Sequence, residues 1–331
     1  MLVEKILPLA KGIVKKLFVG RNYDYSTGGT NNSRYCYTIW MRHLVFAYNN
    51  GIKNINGTIA ELGPGDSLGI GLTALLTGCS KYYAMDVHRY WDIQKNLEIF
   101  DELVLLLKSR AAIPGDDEFP RVTPSLKDYT FPAHILTDKI MGDALKEERI
   151  AMIRNEIKNL ERQEQNTMIR YFIPWNDDRI IEDASVDFIY SQAVLQYVDN
   201  LDETFQCIHK WLKPAGVMSH SIDLSSHGIT RSWNGHWLFS EKEWKLIHGN
   251  NKIILNRAPR SKYLSLIKKY QFQVVDEMRY SKPSLLSVKH FAKQFRELIT
   301  EDSTVHAIVL QARKLVTFFA LFCYQPSQIF T

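Results

Sequence analysis

The stretch Thr58–Gly69, which reads TIAELGPGDSLG, constrains the fold of this chain more than any other feature. A short apolar run ends in a carboxylate, a glycine turn follows, and the residues from Ile70 to Leu76 have a helical apolar pattern. This order predicts a strand, a tight loop and a helix. Gly63 and Gly65 tolerate positive φ and place no Cβ between the backbone and a ligand, so the loop is suited to a ligand that lies against it.

The glycine spacing and the nearby acids indicate which ligand the loop would take. A dinucleotide fingerprint has two residues between its second and third glycines, whereas three separate Gly65 from Gly69. The carboxylate of Glu61, just before the turn, would repel a pyrophosphate and attract an ammonium group. The next predicted strand, Lys81–Met85, leads into Asp86. An acid at this position is well placed to accept hydrogen bonds from ribose hydroxyls.

These residues resemble the first part of the class I S-adenosylmethionine-dependent methyltransferases. Their first motif is acidic-x-Gly-x-Gly-x-x-x-Gly, and their second strand ends in an acid that binds the ribose. The resemblance implies S-adenosylmethionine as cofactor and an α/β fold. That fold is a Rossmann-like, seven-stranded, mostly parallel sheet with an antiparallel last strand and helices on both faces. The cofactor-binding residues that it implies here are Glu61, Gly63, Gly65, Asp66 and Asp86.

A second stretch strengthens the resemblance. Ala184–Val198 looks like the fourth strand and following turn of small-molecule enzymes in this superfamily, whose pattern is close to Asp-apolar-apolar-x-Ser-x-x-Val-Leu-x-(His/Tyr)-Val. The turn Lys213–Gly216 resembles their Leu-Lys-Pro-Gly-Gly turn, with Ala215 in place of the first glycine. Ser191 and Gln192, at the end of the fourth strand, are thereby implied as cofactor-binding residues.

The third predicted strand is Thr167–Ile173, and the polar turn Pro174–Asp178 follows it. In the fold that the resemblance implies, a polar side chain just past this strand would lie beside the adenine. Asn176 or Asp177 is therefore the hydrogen-bonding candidate, and Trp175 is the candidate for packing on the ring. For each of them, an ordinary acidic turn is the alternative.

The densest titratable cluster of the chain surrounds the end of the fifth predicted strand, Val217–Ile222, where open α/β sheets bind ligands. It contains His220, Asp223, His227 and His236. A sulfonium methyl group is already activated, but an acceptor hydroxyl attacks poorly without a base near it. We expect His227 or His236 to be that base, with Asp223 orienting it. A metal site and purely structural histidines are the alternatives, although no compact ligand spacing is present.

The segment Trp233–Trp244 mixes aromatic and polar side chains, as the binding sites of sugars and planar metabolites do. Trp237 is the candidate for contact with such an acceptor, and Arg257 and Arg260 are candidates for gripping an acidic one. A helix cap beginning at Ser240 and exposed cations without partners are the alternatives. The arrangement resembles class I methyltransferases that act on carbohydrates or secondary metabolites, which implies a small-molecule or glycan acceptor methylated at oxygen.

The predicted organisation has four parts: a helical cap over 1–57, a methyltransferase domain over 58–312, a helical insertion within it at about 111–166, and an apolar tail over 313–331. The insertion is either a solvated lid or a surface for substrate selection or dimer contact. A helix is predicted over Phe291–Leu298 and an antiparallel last strand over Val305–Gln311. The amphipathic helix at 1–20 and the apolar run at 315–324 either pack on the domain or contact a membrane peripherally.

Composition narrows the remaining alternatives. The net charge of +5 without a dense Lys/Arg tract argues against a nucleic-acid acceptor. The turn after the fourth strand also lacks the prolines of enzymes that methylate the amino groups of DNA bases. Four scattered cysteines fit a reducing compartment and predict a cytoplasmic location. An NAD(P)-dependent oxidoreductase, disfavoured by the glycine spacing, and a non-catalytic scaffold are the other functional hypotheses.

Overall fold

A computed structural model describes residues 2–17, 29–53, 55–162, 167–175, 177–249, 251 and 254–316. The predicted adenine contact Asn176 and most of the predicted apolar tail lie outside the described residues.

The fold is organised around one sheet, which has seven strands within the described residues and the order β3-β2-β1-β4-β5-β7-β6. The strands are β1 Thr58–Leu62, β2 Lys81–Met85, β3 Ile169–Phe172, β4 Val186–Gln192, β5 Leu212–Asp223, β6 Phe272–Ser281 and β7 Val305–Lys314. β1 to β5 pair in parallel, and β7 is antiparallel to both of its neighbours. The predicted mostly parallel sheet with an antiparallel last strand is confirmed.

Helices cover both faces of the sheet. They are α1 Leu2–Leu17, α2 Ser33–Asn49, α3 Gly69–Leu76, α4 Ile93–Lys108, α5 Asp138–Ala144, α6 Glu147–Lys158, α7 Leu201–Trp211, α8 Glu241–His248, α9 Arg260–Lys269 and α10 Thr300–Thr304. Successive side chains of a strand point to opposite faces. On β1, Ile59 belongs to a core shared with α2, α3 and α4, whereas Ala60 and Leu62 belong to a core shared with α7 and α9.

The predicted insertion is helical only in its second half, in α5 and α6. Its first half, 111–137, is irregular and is held by Arg42, a fully buried residue of α2. The Arg42 guanidinium donates hydrogen bonds to four oxygen acceptors in the insertion: the carbonyls of Pro114, Val122 and Pro124 and the carboxylate of Asp116. The Thr123 hydroxyl lies 2.6 Å from that of Ser221 in β5. The insertion therefore reaches the carboxyl end of the central strands.

The segment between β5 and β7 adds a third apolar core, which includes Trp233, Trp237, Phe239 and Phe291. The prediction of a helix over Phe291–Leu298 is wrong, because this region contains only short 3₁₀ turns. The N–H of Ala292 donates to the carbonyl of Trp237 at 2.8 Å, and the ring of Phe291 packs edge-on against that of Trp237. Tertiary contacts with Trp237 thus hold this segment where the sequence predicted a helix.

Helix α1 packs against α8. None of the helices that the structure describes has both the length and the apolar character needed to cross a membrane.

Candidate active site at the carboxyl edge of the sheet

The glycine loop after β1 lies against the ends of both neighbouring strands. Gly63 and Gly65 have φ values of 66° and 74°, a conformation that favours glycine. A Cβ added to Gly63 would lie 2.6 Å from Cγ2 of Val194, so a side chain there would collide with the turn after β4. The N–H of Gly63 donates to the carbonyl of Met85 in β2 at 2.7 Å. The loop is therefore at the point where the strand order reverses, the usual ligand site of such sheets.

Asp86 lies at this loop, as predicted for a ribose-binding acid. One carboxylate oxygen accepts the N–H of Gly65 at 3.3 Å, and the other accepts the N–H of Val87 at 2.7 Å. Burial raises the pKa of Asp86, and these backbone hydrogen bonds act in the opposite direction. A carboxylate oxygen can accept more than one hydrogen bond, so Asp86 keeps capacity for ribose hydroxyls. Its position beside the loop fits a bound nucleoside.

Glu61 does not face the loop, in contrast to its predicted role. It points to the sheet face covered by α2 and α3, where the hydroxyls of Tyr82 and Tyr190 donate to one of its oxygens at 2.5 and 3.0 Å. Glu61 is 1% exposed, and burial raises its pKa to about 8. It therefore joins β1, β2 and β4 inside the core and offers no carboxylate to an ammonium group. The alternation of side chains along β1 decides this direction.

The predicted adenine contacts after β3 are engaged elsewhere. Trp175 is buried in the core that contains Tyr83. Asp177 accepts hydrogen bonds from the Arg179 guanidinium at both carboxylate oxygens, each 2.9 Å long, and these lower its pKa to about 2. Asp66, in the glycine loop, is only partly exposed. The structure thus supports Asp86 more directly than Trp175 or Asp177 as a cofactor contact.

Ser191 and His220, predicted as a cofactor contact and a catalytic residue, contact each other below the edge of the sheet. The Ser191 hydroxyl lies 2.8 Å from Nδ1 of His220, and both residues are buried. Burial lowers the pKa of His220 to about 3, so its ring is neutral. This position argues against His220 as a base for an acceptor and against Ser191 as a direct cofactor contact.

Gln192 ends β4 and is partly exposed. Its amide oxygen lies 3.3 Å from Nε2 of His43, whose Nδ1 lies 2.8 Å from the hydroxyl of Ser219. An amide oxygen only accepts, so His43 carries its proton on Nε2. Burial lowers the pKa of His43 to about 4 and keeps the ring neutral. The histidine thereby holds the amide oxygen of Gln192 and leaves the amide NH₂ for another partner.

Asp223 and His227, predicted as orienting acid and base, are in contact. Nε2 of His227 lies 3.3 Å from a carboxylate oxygen of Asp223, and Nδ1 lies 2.8 Å from the hydroxyl of Tyr197. The side chains of His227 and Asp223 are 26% and 40% exposed. If Nε2–H donates to the carboxylate, Nδ1 accepts from the phenol. Burial raises the pKa of Tyr197 to about 12, so the phenol keeps its proton at neutral pH. We call these three residues the open cluster.

His236 and Trp237, also predicted for the site, are buried in the third apolar core. The two ring centroids are 4.6 Å apart, and the indole N–H donates to the carbonyl of Arg257 at 3.0 Å. Burial lowers the pKa of His236 to about 3. Neither ring is accessible to an acceptor, because Trp237 is 0% and His236 is 2% exposed. The placement argues against His236 as the base and against Trp237 as a contact for a sugar acceptor.

The two predicted acceptor-binding arginines have partners within the chain. Arg257 is buried, and its guanidinium donates to the carbonyl of Phe239 at 2.6 Å and to the carboxylate of Glu241. Burial lowers its pKa to about 10. Arg260 forms a two-point ion pair with Glu277, with one contact at 2.5 Å. Both arginines therefore stabilise the fold, and neither is free to bind an acidic acceptor.

Two of the residues that the structure brings to the site were missed in the sequence. Tyr197 belongs to the recognised turn after β4, but its contact with His227 joins segments that are separate in the chain. His43 lies among apolar residues of α2, and a polar residue in that setting was the only available signal. Within the described residues, no group of three or more His, Cys, Asp or Glu side chains is arranged to hold a metal ion.

Comparison with known proteins points to one family. A family model described as a methyltransferase domain matches residues 103–277, which is more than half of the chain. The matched range begins in α4, after the glycine loop, and ends in β6, so it includes the open cluster. No curated protein matches the chain significantly.

The solved structures that this chain matches are distant in sequence. An S-adenosylmethionine-dependent methyltransferase from Methanosarcina mazei shares 11% identity, with 82% of this chain and 98% of that chain covered and a TM-score of 0.43. One from Mesorhizobium loti shares 14%, with the same coverage and a TM-score of 0.40. A Galdieria sulphuraria protein, provisionally named a sarcosine dimethylglycine methyltransferase, shares 14%, with 83% and 85% covered and a TM-score of 0.43.

Proposed function

This chain belongs to the S-adenosylmethionine-dependent methyltransferases, and from that premise we propose that it methylates a hydroxyl group of a small-molecule or glycan acceptor. The observation that carries the proposal is the open cluster of Asp223, His227 and Tyr197. It combines a carboxylate, an imidazole and a phenol in hydrogen-bonding contact at the carboxyl end of β5. The side chains of Asp223 and His227 are partly exposed.

The cofactor would be held at the glycine loop and by Asp86. When bound, S-adenosylmethionine supplies an electrophilic methyl group on a sulfonium and leaves as the neutral thioether S-adenosylhomocysteine. The protein then has to orient the acceptor and remove its proton. Gln192, whose amide oxygen is held by His43, offers N–H donors next to the turn after β4 and is a second candidate for the cofactor or acceptor.

His227 is the proposed base, and its proton path follows from the observed contacts. Both ring nitrogens are engaged, so an acceptor reaches the imidazole through the phenol of Tyr197. The acceptor hydroxyl gives its proton to the phenol oxygen while the phenol gives its own to Nδ1. The resulting imidazolium is stabilised by the carboxylate of Asp223. Tyr197 remains neutral throughout, in agreement with its raised pKa.

The acceptor class rests on the resemblance of the β4 turn to small-molecule enzymes. The insertion adds support, because Thr123 brings it to Ser221, two residues before Asp223. It would therefore form a wall beside the acceptor. The aromatic segment around Trp237 contributes nothing to this part of the proposal, since its rings are buried.

Calorimetry with S-adenosylmethionine, S-adenosylhomocysteine and NAD tests the cofactor assignment. We expect the first two to bind and NAD to give no heat. Binding of NAD alone would favour an oxidoreductase, and binding of none of the three would favour a scaffold.

Labelled methyl transfer into nucleotide-sugar and glycolipid extracts tests the acceptor. We expect label in an ether that resists both mild base and mild acid. Label recovered as a base-labile ester or as a methylamine would contradict methylation of a hydroxyl.

A further inference from the structure

Helix α1 is attached to the rest of the protein by polar and small residues and by Leu9, which packs against the third apolar core. The carboxylate of Glu4 accepts the backbone N–H groups of Arg231 and Ser232 at 2.9 and 3.1 Å. Lys5 pairs with Glu243 of α8 at 3.0 Å. Charged contacts thus fix the helix to the segment after β5 and to α8, in addition to the apolar contact of Leu9.

The small residues of α1 make the close contact with α8. Pro8 and Gly12 are buried in the interface. A Cβ added to Gly12 would lie 2.4 Å from the carbonyl oxygen of Leu246 and 2.6 Å from Cα of Ile247, so only glycine permits this approach. The backbone of α1 therefore lies directly on α8, and the orientation of the helix about its axis is fixed.

The opposite face of α1 is apolar and exposed. Its large side chains are 47–55% exposed, and they are Val3, Ile6, Leu7, Ile13 and Val14. They recur at helical spacing, so they form one continuous stripe. A surface helix normally turns such a stripe towards the core and its charges towards water. In α1 the apolar stripe faces away from the core, and a contiguous exposed apolar stripe marks an interaction surface.

We propose that this stripe binds the surface of an anionic lipid bilayer, with α1 remaining docked on α8. Charge favours this occupant. The only acidic residue of α1 is Glu4, and its carboxylate is engaged in hydrogen bonds with Arg231 and Ser232. Lys11, in contrast, is exposed. The sequence adds Lys15 and Lys16 in the last turn. An apolar stripe accompanied by lysines is typical of helices that lie in the interface of anionic membranes.

A second copy of the chain is the competing occupant. Two such stripes facing each other would place the exposed Lys11 of each helix near a second cationic helix, and like charges oppose association. Anionic headgroups would instead neutralise them. The bilayer inference is independent of the proposed methyl transfer, because it uses none of the residues at the carboxyl edge of the sheet.

Co-sedimentation of the full-length protein with vesicles tests the inference. The probes are phosphatidylcholine vesicles with and without about 30% phosphatidylserine. We expect binding to the anionic vesicles, weaker binding as salt is raised, and little binding to the neutral ones. The triple variant Ile6→Ser, Ile13→Ser, Val14→Ser should partition at least ~10-fold more weakly, because three apolar side chains are lost from the interface.

Leu105→Ser is the matched control, since Leu105 is an equally large apolar residue, 67% exposed on α4. It should bind vesicles as the wild type does. Lys11→Glu keeps the apolar stripe and reverses one charge, so it should weaken binding to anionic vesicles alone. This variant also keeps the test decisive if the triple variant fails to fold.

Three results would overturn the inference. The first is a wild-type protein that does not bind anionic vesicles, and the second is a folded triple variant that binds them as well as the wild type. The third is a wild-type dimer in sedimentation that the triple variant dissociates, because the stripe would then be an interface between two copies.

Discussion

Two polar clusters follow β5, and they have opposite surroundings. The open cluster of Asp223, His227 and Tyr197 is partly exposed to solvent. The second cluster, His236 with Trp237 and Arg257, is enclosed by aromatic rings. We call it the buried cluster. His227 and His236 are only nine positions apart in the chain, and each was a candidate for the catalytic base.

The difference teaches that residue type and position along a strand do not by themselves define a site. Both clusters pair an imidazole with a charged group, but the side chain of His227 is 26% exposed, whereas burial lowers the pKa of His236 to about 3. The same burial allows Arg257 and Trp237 to join distant backbone segments. One cluster is suited to chemistry and the other to stability.

The largest expected effect is on stability, at the centre of the buried cluster. Trp237→Ala should lower the free energy of unfolding by ~3–5 kcal/mol, because it removes a fully buried ring and leaves a cavity. Urea unfolding measures this. Leu285→Ala is the control, since Leu285 is 96% exposed and should change stability by less than ~0.5 kcal/mol. A Trp237→Ala variant of normal stability that no longer methylates would place this ring at the acceptor instead.

The next effect should be on catalysis, in the open cluster. His227→Gln should lower turnover by about 10² or more, because the acceptor proton loses its base, with affinity for S-adenosylmethionine unchanged. Turnover and calorimetry measure the two quantities.

His236→Gln and Tyr197→Phe are the comparisons for that result. The first should destabilise the protein and leave the turnover of the folded fraction nearly intact. The second should also lower turnover by about 10² or more, because the acceptor proton reaches the imidazole through the phenol. If His236→Gln abolished turnover and His227→Gln did not, the roles of the two clusters would be reversed.

A third prediction concerns the acid at the glycine loop. Asp86→Ala should weaken the binding of S-adenosylmethionine by ~1.5–3 kcal/mol, the scale of a charged hydrogen bond. Asp86→Asn should lose less affinity for S-adenosylmethionine, since its amide oxygen still accepts a hydrogen bond from the backbone N–H of Gly65 or Val87. Calorimetry distinguishes the two variants. Unchanged affinity in both would mean that the ribose is held elsewhere.

The last effect, which is the one with a pH signature, should come from the buried acid Glu61. Its pKa in the folded protein, about 8, lies above that of an unfolded glutamate, about 4.3. The folded state therefore binds the extra proton between these values, and the stability contributed by Glu61 is lost as pH rises through this range. The slope is at most ~1.4 kcal/mol per pH unit.

Glu61→Gln should flatten this fall in stability between pH 5 and pH 8, because glutamine does not titrate there. Thermal or urea unfolding at several pH values measures it. A variant whose pH profile matches that of the wild type would show that Glu61 is ionised in the folded protein. A carboxylate would then be present beside the glycine loop, as the sequence predicted.

The sequence determined the local geometry of this protein. The glycine spacing predicted the strand, loop and helix around Gly63 and Gly65, and the position of Asp86 one strand later placed it at that loop. The titratable residues at the end of β5 predicted that Asp223 would orient His227 or His236, and the structure places Asp223 in contact with His227. These features depend on neighbours in the chain, whose spacing is fixed by backbone geometry.

The tertiary structure alone decided which polar groups are exposed. The burial of Glu61 depends on Tyr190, a residue of another strand, and the burial of Trp237 depends on Phe291, far along the chain. The outward apolar stripe of α1 depends on the contact of Gly12 with α8. The exposure of a side chain is set by the packing of segments that are distant in the chain. The residue pattern of one strand or helix does not indicate which segment will cover that strand or helix.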